Sequence, residues 1–145
     1  MFMKITLLTV KQPATPLSLP LYCSRVPAGF PSPADDYIEA QLDLNEYLIK
    51  HPSSTFFARA EGTSMVNAGI LDGALLIVDR SLTPQHDDIV IASVDGQLTC
   101  KILDTRIQAL RSANLQYPPM MLSEGNELLI FGVVIHVVNK LCTRL

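Results

Sequence analysis

Between Ile89 and Leu103 the chain is rich in apolar residues and carries only two charges, Asp95 in an Asp95-Gly96 pair at its middle and one cation, Lys101. Asp-Gly readily supplies the positive φ angles of a two-residue hairpin turn, so this stretch predicts two antiparallel strands, Ile89–Val94 and Gln97–Leu103. Such a turn sets Val94 opposite Gln97 and Val90 opposite Lys101. Alternation then puts Lys101 on one face with Val90, Ala92, Val94 and Leu103. The other face carries Ile89, Ile91, Leu98, Cys100 and Ile102. With both faces apolar, the hairpin belongs inside a β domain, and neither face suits a hydrated ammonium. Lys101 either snorkels to water from a strand end, or loses hydration and with it affinity for its proton.

The second alternative gives the lysine chemistry. Ser64 sits in the turn-rich stretch Glu61-Gly62-Thr63-Ser64-Met65, with Asn67-Ala68-Gly69 just beyond. A neutral amine beside a serine hydroxyl is a general base beside a nucleophile, the Ser-Lys variant of serine-peptidase chemistry. Other templates fit less well. The second glycine of Gly-x-Ser-x-Gly is missing after Ser64, and no Ser-x-x-Lys occurs. His51, His86 and His136 are isolated and read as surface or satisfied core histidines. A Ser-His-Asp triad built on His86 or His136 has nothing in the sequence to position it. Asp87-Asp88 reads as the polar edge of a turn. No metal and no cofactor is expected.

The rest of the chain supports a mainly β domain behind an extended arm. Its 145 residues, 48% hydrophobic and 17% charged, are enough for one well-filled core. Pro13, Pro16, Pro20, Pro27, Pro31 and Pro33 crowd the first 33 residues and disfavour helix and central strand there. Residues 1–33 are therefore expected to form the arm and 34–145 the β-rich domain. Short helical turns are expected over 32–50, with Ser32 capping Pro33 and Asp43-Leu44-Asn45-Glu46 resembling a capping box. Leu75–Val78 reads as a buried strand, and Leu128–Val138 as one or two strands bent at Gly132.

A net charge of −3 opposes DNA binding through a general basic surface. Cys23, Cys100 and Cys142 are far apart, which suits a reducing compartment and neither a disulfide scaffold nor a zinc site. The apolar run Ile5–Val10 is too short for a secretory core or a membrane span, so a cytoplasmic protein is expected.

Gly62-Thr63-Ser64-Met65, Gly69-Ile70-Leu71-Asp72-Gly73, Leu76-Ile77-Val78-Asp79, Asp88-Ile89-Val90 and Asp95-Gly96-Gln97-Leu98-Thr99-Cys100-Lys101 together resemble the LexA/UmuD self-cleaving serine peptidases. Gly29-Phe30-Pro31-Ser32-Pro33-Ala34, Asp36-Tyr37, Asp43-Leu44-Asn45 and Phe131–Val138 resemble the UmuD branch, accessory subunits of error-prone polymerases. The likeness runs in unbroken order from about residue 20 to 140. It implies a LexA/signal-peptidase-like β fold, Ser64 as nucleophile, Lys101 as general base and Ala28-Gly29 as the bond cut. It further implies a homodimer, stimulation by the RecA–single-stranded DNA filament, and a processed form that joins a UmuC-like Y-family polymerase subunit in translesion synthesis.

The expected cleavage segment has fitting physics. Val26 and Phe30 each precede a proline and are pushed toward extended geometry. The segment can then lie along a cleft as an added strand. Asp87 stands where the family commonly has glycine, and Thr63 where an acidic residue is frequent. The alternative readings are a non-catalytic β interaction module and a LexA-type repressor fragment lacking its DNA-binding domain. A LexA-type repressor would need a DNA-binding domain before the cleavage bond, and a membrane signal peptidase would need an anchor.

Overall fold

The computed structural model describes residues 3–8, 15–22, 38–122 and 127–145. In chain order the strands are β1 (Lys4–Leu8), β2 (Ser18–Tyr22), β3 (Ile38–Asp43), β4 (Thr55–Glu61), β5 (Leu75–Asp79), β6 (Ile89–Val94), β7 (Gln97–Asp104), β8 (Ala109–Arg111), β9 (Met120–Met121) and β10 (Leu128–Val138), with one short helix, α1 (Leu44–Leu48). The chain divides into two units, residues 11–50 and the remainder made of 1–10 with 51–145.

The larger unit is an eight-stranded antiparallel sheet in the order β1-β4-β5-β10-β6-β7-β8-β9. The β6–β7 hairpin has the register that its Asp-Gly turn dictates, with Val94 opposite Gln97 and Val90 opposite Lys101. Asp95 and Gly96 both take positive φ, 51° and 84°. The two faces of this hairpin serve different hydrophobic clusters. Ile91 and Cys100 join Met65, Ile70, Leu76 and Val78 in one, while Val90, Ala92, Val94 and Leu103 join Leu110 and Val133 in the other. A strand buried on both faces leaves a polar side chain no route to water, which decides the environment of Lys101.

β10 holds the sheet together by pairing with β6 through its first half and β5 through its second. Its register shifts between Ile130 and Gly132, the bend that the glycine announces. A Cβ on Gly132 would stand 2.8 Å from Val78 Cγ1 and 3.1 Å from the Asp79 carbonyl oxygen. The backbone atom cannot step aside without breaking the ladder. Gly132→Ala is therefore expected to destabilise the fold by about 2 kcal/mol, read as a lowered urea midpoint at unchanged slope. A midpoint equal to the parent's would show that β10 has slack there.

Two expectations need correction. The first 33 residues, expected to form an arm, do add a strand to the core: β1 pairs with β4 from Lys4↔Glu61 to Leu8↔Phe57, and Met3 and Ile5 are buried. The prolines begin only at Pro13, so nothing in Lys4–Leu8 forbids a ladder, and β1 takes an edge position. Helical structure in 38–50 is confined to α1, because Ile38–Asp43 instead pairs with β2 in a two-stranded sheet. Pro20 is tolerated within that small sheet opposite Gln41. Asp43 does cap α1, its carboxylate accepting from Asn45 N at 3.0 Å. The expected cap at Ser32-Pro33 lies outside the described residues.

Candidate active site

Ser64 is delivered by a turn that its flanking residues force. β4 ends at Glu61, and Gly62 takes φ 109°, a conformation that side-chain-bearing residues rarely adopt. Its N–H donates to Asp72 Oδ1 at 2.8 Å, tying the exit of β4 to the following loop. A single 3-10 turn, Val66–Ala68, then closes at Gly69. Met65 anchors the turn in the core at 0% exposure, so the adjacent Ser64 is carried inward to 2%. Its hydroxyl oxygen has no hydrogen-bond partner among the described residues. A buried hydroxyl without a partner costs roughly 1–3 kcal/mol, and a nucleophile held ready for a substrate is one arrangement that justifies the cost.

Lys101 lies in the middle of β7 and is 2% exposed, which excludes snorkelling. Desolvation lowers its pKa from the ordinary lysine value. Cys100 faces the other cluster, and burial pushes its thiol up to about 12, so it remains a neutral core residue. The Lys101 ammonium or amine donates to Ser112 Oγ at 2.8 Å. Thr99 Oγ1, on the same face of β7, is a second buried hydroxyl without a partner among the described residues.

Both residues are tied to the same short segment after β8. Asn67 N donates to Ala113 O at 2.8 Å, Ala113 N to Met65 Sδ at 3.4 Å, and Asn114 Nδ2 to Thr63 O at 3.0 Å. Ser112, the preceding residue, holds Lys101. Residues 112–114 thus brace the Ser64 turn and contact the Lys101 amine. Sequence reasoning missed this segment. Ala28 and Gly29, the expected cleavage bond, lie outside the described residues.

His51 and His86 are engaged elsewhere. His51 Nδ1 is 2.6 Å from Asp79 Oδ2 and 3.1 Å from Ser81 Oγ. That brings a serine, a histidine and an aspartate together, yet one ring nitrogen faces both partners. A catalytic triad needs the serine and the carboxylate on opposite ring nitrogens. The Ser81 hydroxyl also donates to Asp79 Oδ1 at 2.6 Å, so it closes a turn. Burial would raise the Asp79 pKa, but the bonds from His51 and Ser81 outweigh it and hold the pKa below the ordinary value. His86, in the loop before β6, accepts through Nδ1 from Thr105 N of the β7–β8 turn at 3.1 Å.

Asp87 takes φ 69°, the left-handed conformation that glycine would have supplied. Its carboxylate bonds Arg111 Nη2 at 2.6 Å, while Arg111 Nε donates to Asp104 Oδ2 at 2.9 Å. The aspartate therefore adds an ion pair that a glycine could not. Among the described residues no cluster of histidine, cysteine and carboxylate side chains has the makings of a metal site.

The chain matches the Peptidase S24-like family over residues 20–135. It belongs to that family. Among its relatives, Protein ImpA of Salmonella typhimurium is 48% identical over 121 residues, covering 83% of either chain. Protein SamA of the same species is 44% identical over 137 residues, 94% of this chain and 96% of the relative. LexA repressor 1 of Geobacter sulfurreducens is 34% identical over 130 residues, which span 88% of this chain and 63% of the repressor. The likeness read from the motifs to the LexA/UmuD self-cleaving peptidases is thereby established, and with it a mainly β peptidase fold. No helix among the described residues is long and apolar enough to cross a membrane.

Proposed function

We propose that this S24 peptidase cuts its own Ala28-Gly29 bond, with Ser64 as nucleophile and Lys101 as general base. The observation that carries the reading is the pairing of burials: a desolvated lysine and an unpartnered serine hydroxyl, both braced by residues 112–114. The neutral Lys101 amine takes the Ser64 proton as Oγ bonds to the Ala28 carbonyl carbon. The backbone N–H groups of Ser64 and Met65 are the candidate donors to the oxyanion. Collapse breaks the C–N bond, and Lys101 returns the proton to the Gly29 amine. Water then releases the acyl group by the same route, leaving Ser64 and Lys101 as they began.

The RecA–single-stranded DNA filament is the proposed stimulus. The processed form, a homodimer, is proposed to serve a UmuC-like Y-family polymerase as accessory subunit in SOS mutagenesis. The motif resemblance and the relatives ImpA and SamA support this reading over a non-catalytic β module. Incubation of the full chain with activated filament is expected to yield a fragment beginning at Gly29, identified by intact mass. An uncut chain, or one cut at another bond by an added protease alone, would refute self-processing at this site.

A further inference from the structure

We propose that Ser112 is a positioning residue for the general base, its hydroxyl holding the Lys101 amine in the orientation from which it takes the Ser64 proton. The inference rests on the Ser-Lys reading and adds a third residue to it.

The placement follows from strand register. β7 and β8 pair Leu103 with Leu110 and Ile102 with Arg111, so the next step along the hairpin sets Ser112 opposite Lys101. Residues directly opposite share a face, and here the two side chains meet, Nζ to Oγ at 2.8 Å. The register is itself locked. Asp104 accepts from Arg106 N and Ile107 N across the turn and from Arg111 Nε on the returning strand. At the other end, Ala113 and Asn114 are bonded to the turn that carries Ser64. The residue that holds the amine is thus contiguous with those that hold the nucleophile's loop.

The chemistry needs such a holder. A lysine amine ends a flexible four-carbon stem and can spin about its last bond. Neutral, it has two N–H bonds and one lone pair, and only the lone pair can accept the Ser64 proton. Donating one N–H to Ser112 removes one of the three staggered directions from the lone pair's choice. As the Ser64 O–H bond breaks and the new N–H bond forms, the amine becomes an ammonium. Its bond to Ser112 Oγ then becomes charge-assisted and strengthens. An interaction that tightens as the proton moves lowers the barrier, whereas one of constant strength does not.

The test follows spontaneous self-cleavage of the full chain across a pH series, with thermal unfolding alongside. Ser112→Ala is expected to lower the alkaline plateau about tenfold or more. Its midpoint should move to lower pH, because the ammonium form has lost an acceptor. Cys100, the neighbour whose charge would otherwise shift that midpoint, stays neutral with its thiol pushed up to about 12. Ser112→Thr keeps the hydroxyl and should restore most of the rate. A merely structural serine would change the unfolding temperature and leave plateau and midpoint alone. If Ser112→Ala does not fold, Ser112→Cys, a weak acceptor of similar size, should show an intermediate loss. Wild-type plateau and midpoint in the Ala or Cys variant, with Lys101→Met inert, overturn the role of Ser112 and leave the Ser-Lys pair standing. Wild-type cleavage by Lys101→Met overturns the pair, and the positioning role with it.

Discussion

Ser64→Ala and Lys101→Met are each expected to lose self-cleavage by at least about a thousandfold while folding more stably than the parent chain. The two halves of that result have one cause. Ser64 carries a desolvated hydroxyl with no partner among the described residues, so truncation to alanine removes a cost and is expected to gain about 1 kcal/mol. For a chain of this length that is roughly 3 °C in the unfolding midpoint. Methionine at 101 keeps the length and apolar stem of lysine and deletes the group whose charged form burial penalises. Because the folded pKa is depressed, the unfolded chain binds more protons between the folded and unfolded values, and parental stability rises with pH across that window. The advantage of Lys101→Met should therefore be greatest below the folded pKa and vanish above about 10.4, the unfolded value. Inactive variants with unchanged or lower stability at every pH would show that the two side chains earn their burial structurally. Cleavage at the parental rate would remove them from the chemistry altogether.

How much of this was legible in the sequence depends on how local each signal is. The β6–β7 register follows from two turn residues, and with it the face on which Lys101 lies. The bend at Gly132 could be read in the same way. Ser112 could not. Its position depends on the β7–β8 turn, where no Asn-Gly or Asp-Gly stands and Gln108 adopts φ 52° instead. β1 was hidden by its neighbours: six prolines beyond it made the whole segment look like an arm, although Lys4–Leu8 is free of them. β3 requires its partner β2 to be a strand at all, and β2 contains Pro20. The His51–Asp79 contact joins residues 28 apart in sequence, and no local signal announces it. Short-range turn chemistry is written plainly in this chain. Pairings that rest on tertiary packing are not.

Spontaneous self-cleavage is expected to accelerate as pH rises, tenfold per unit below the folded pKa of Lys101, then level off above it. Only the neutral amine can take the Ser64 proton, so the rate follows the deprotonated fraction. Desolvation lowers that pKa, which places the levelling point below 10.4, the value for an exposed lysine. The proposed filament needs no catalytic group of its own. By favouring the conformation in which the amine is most fully dehydrated, it would enlarge the neutral population and move the midpoint toward neutrality. Measured with and without filament, the two profiles should therefore differ most near pH 7 and converge at alkaline pH. A bell centred in the histidine range would instead make His51, His86 or His136 the base, against the engagement of His51 with Asp79 and of His86 with Thr105. A flat profile between pH 6 and 10 would mean that no titrating side chain limits the reaction, and the depressed lysine would be a feature of the fold alone.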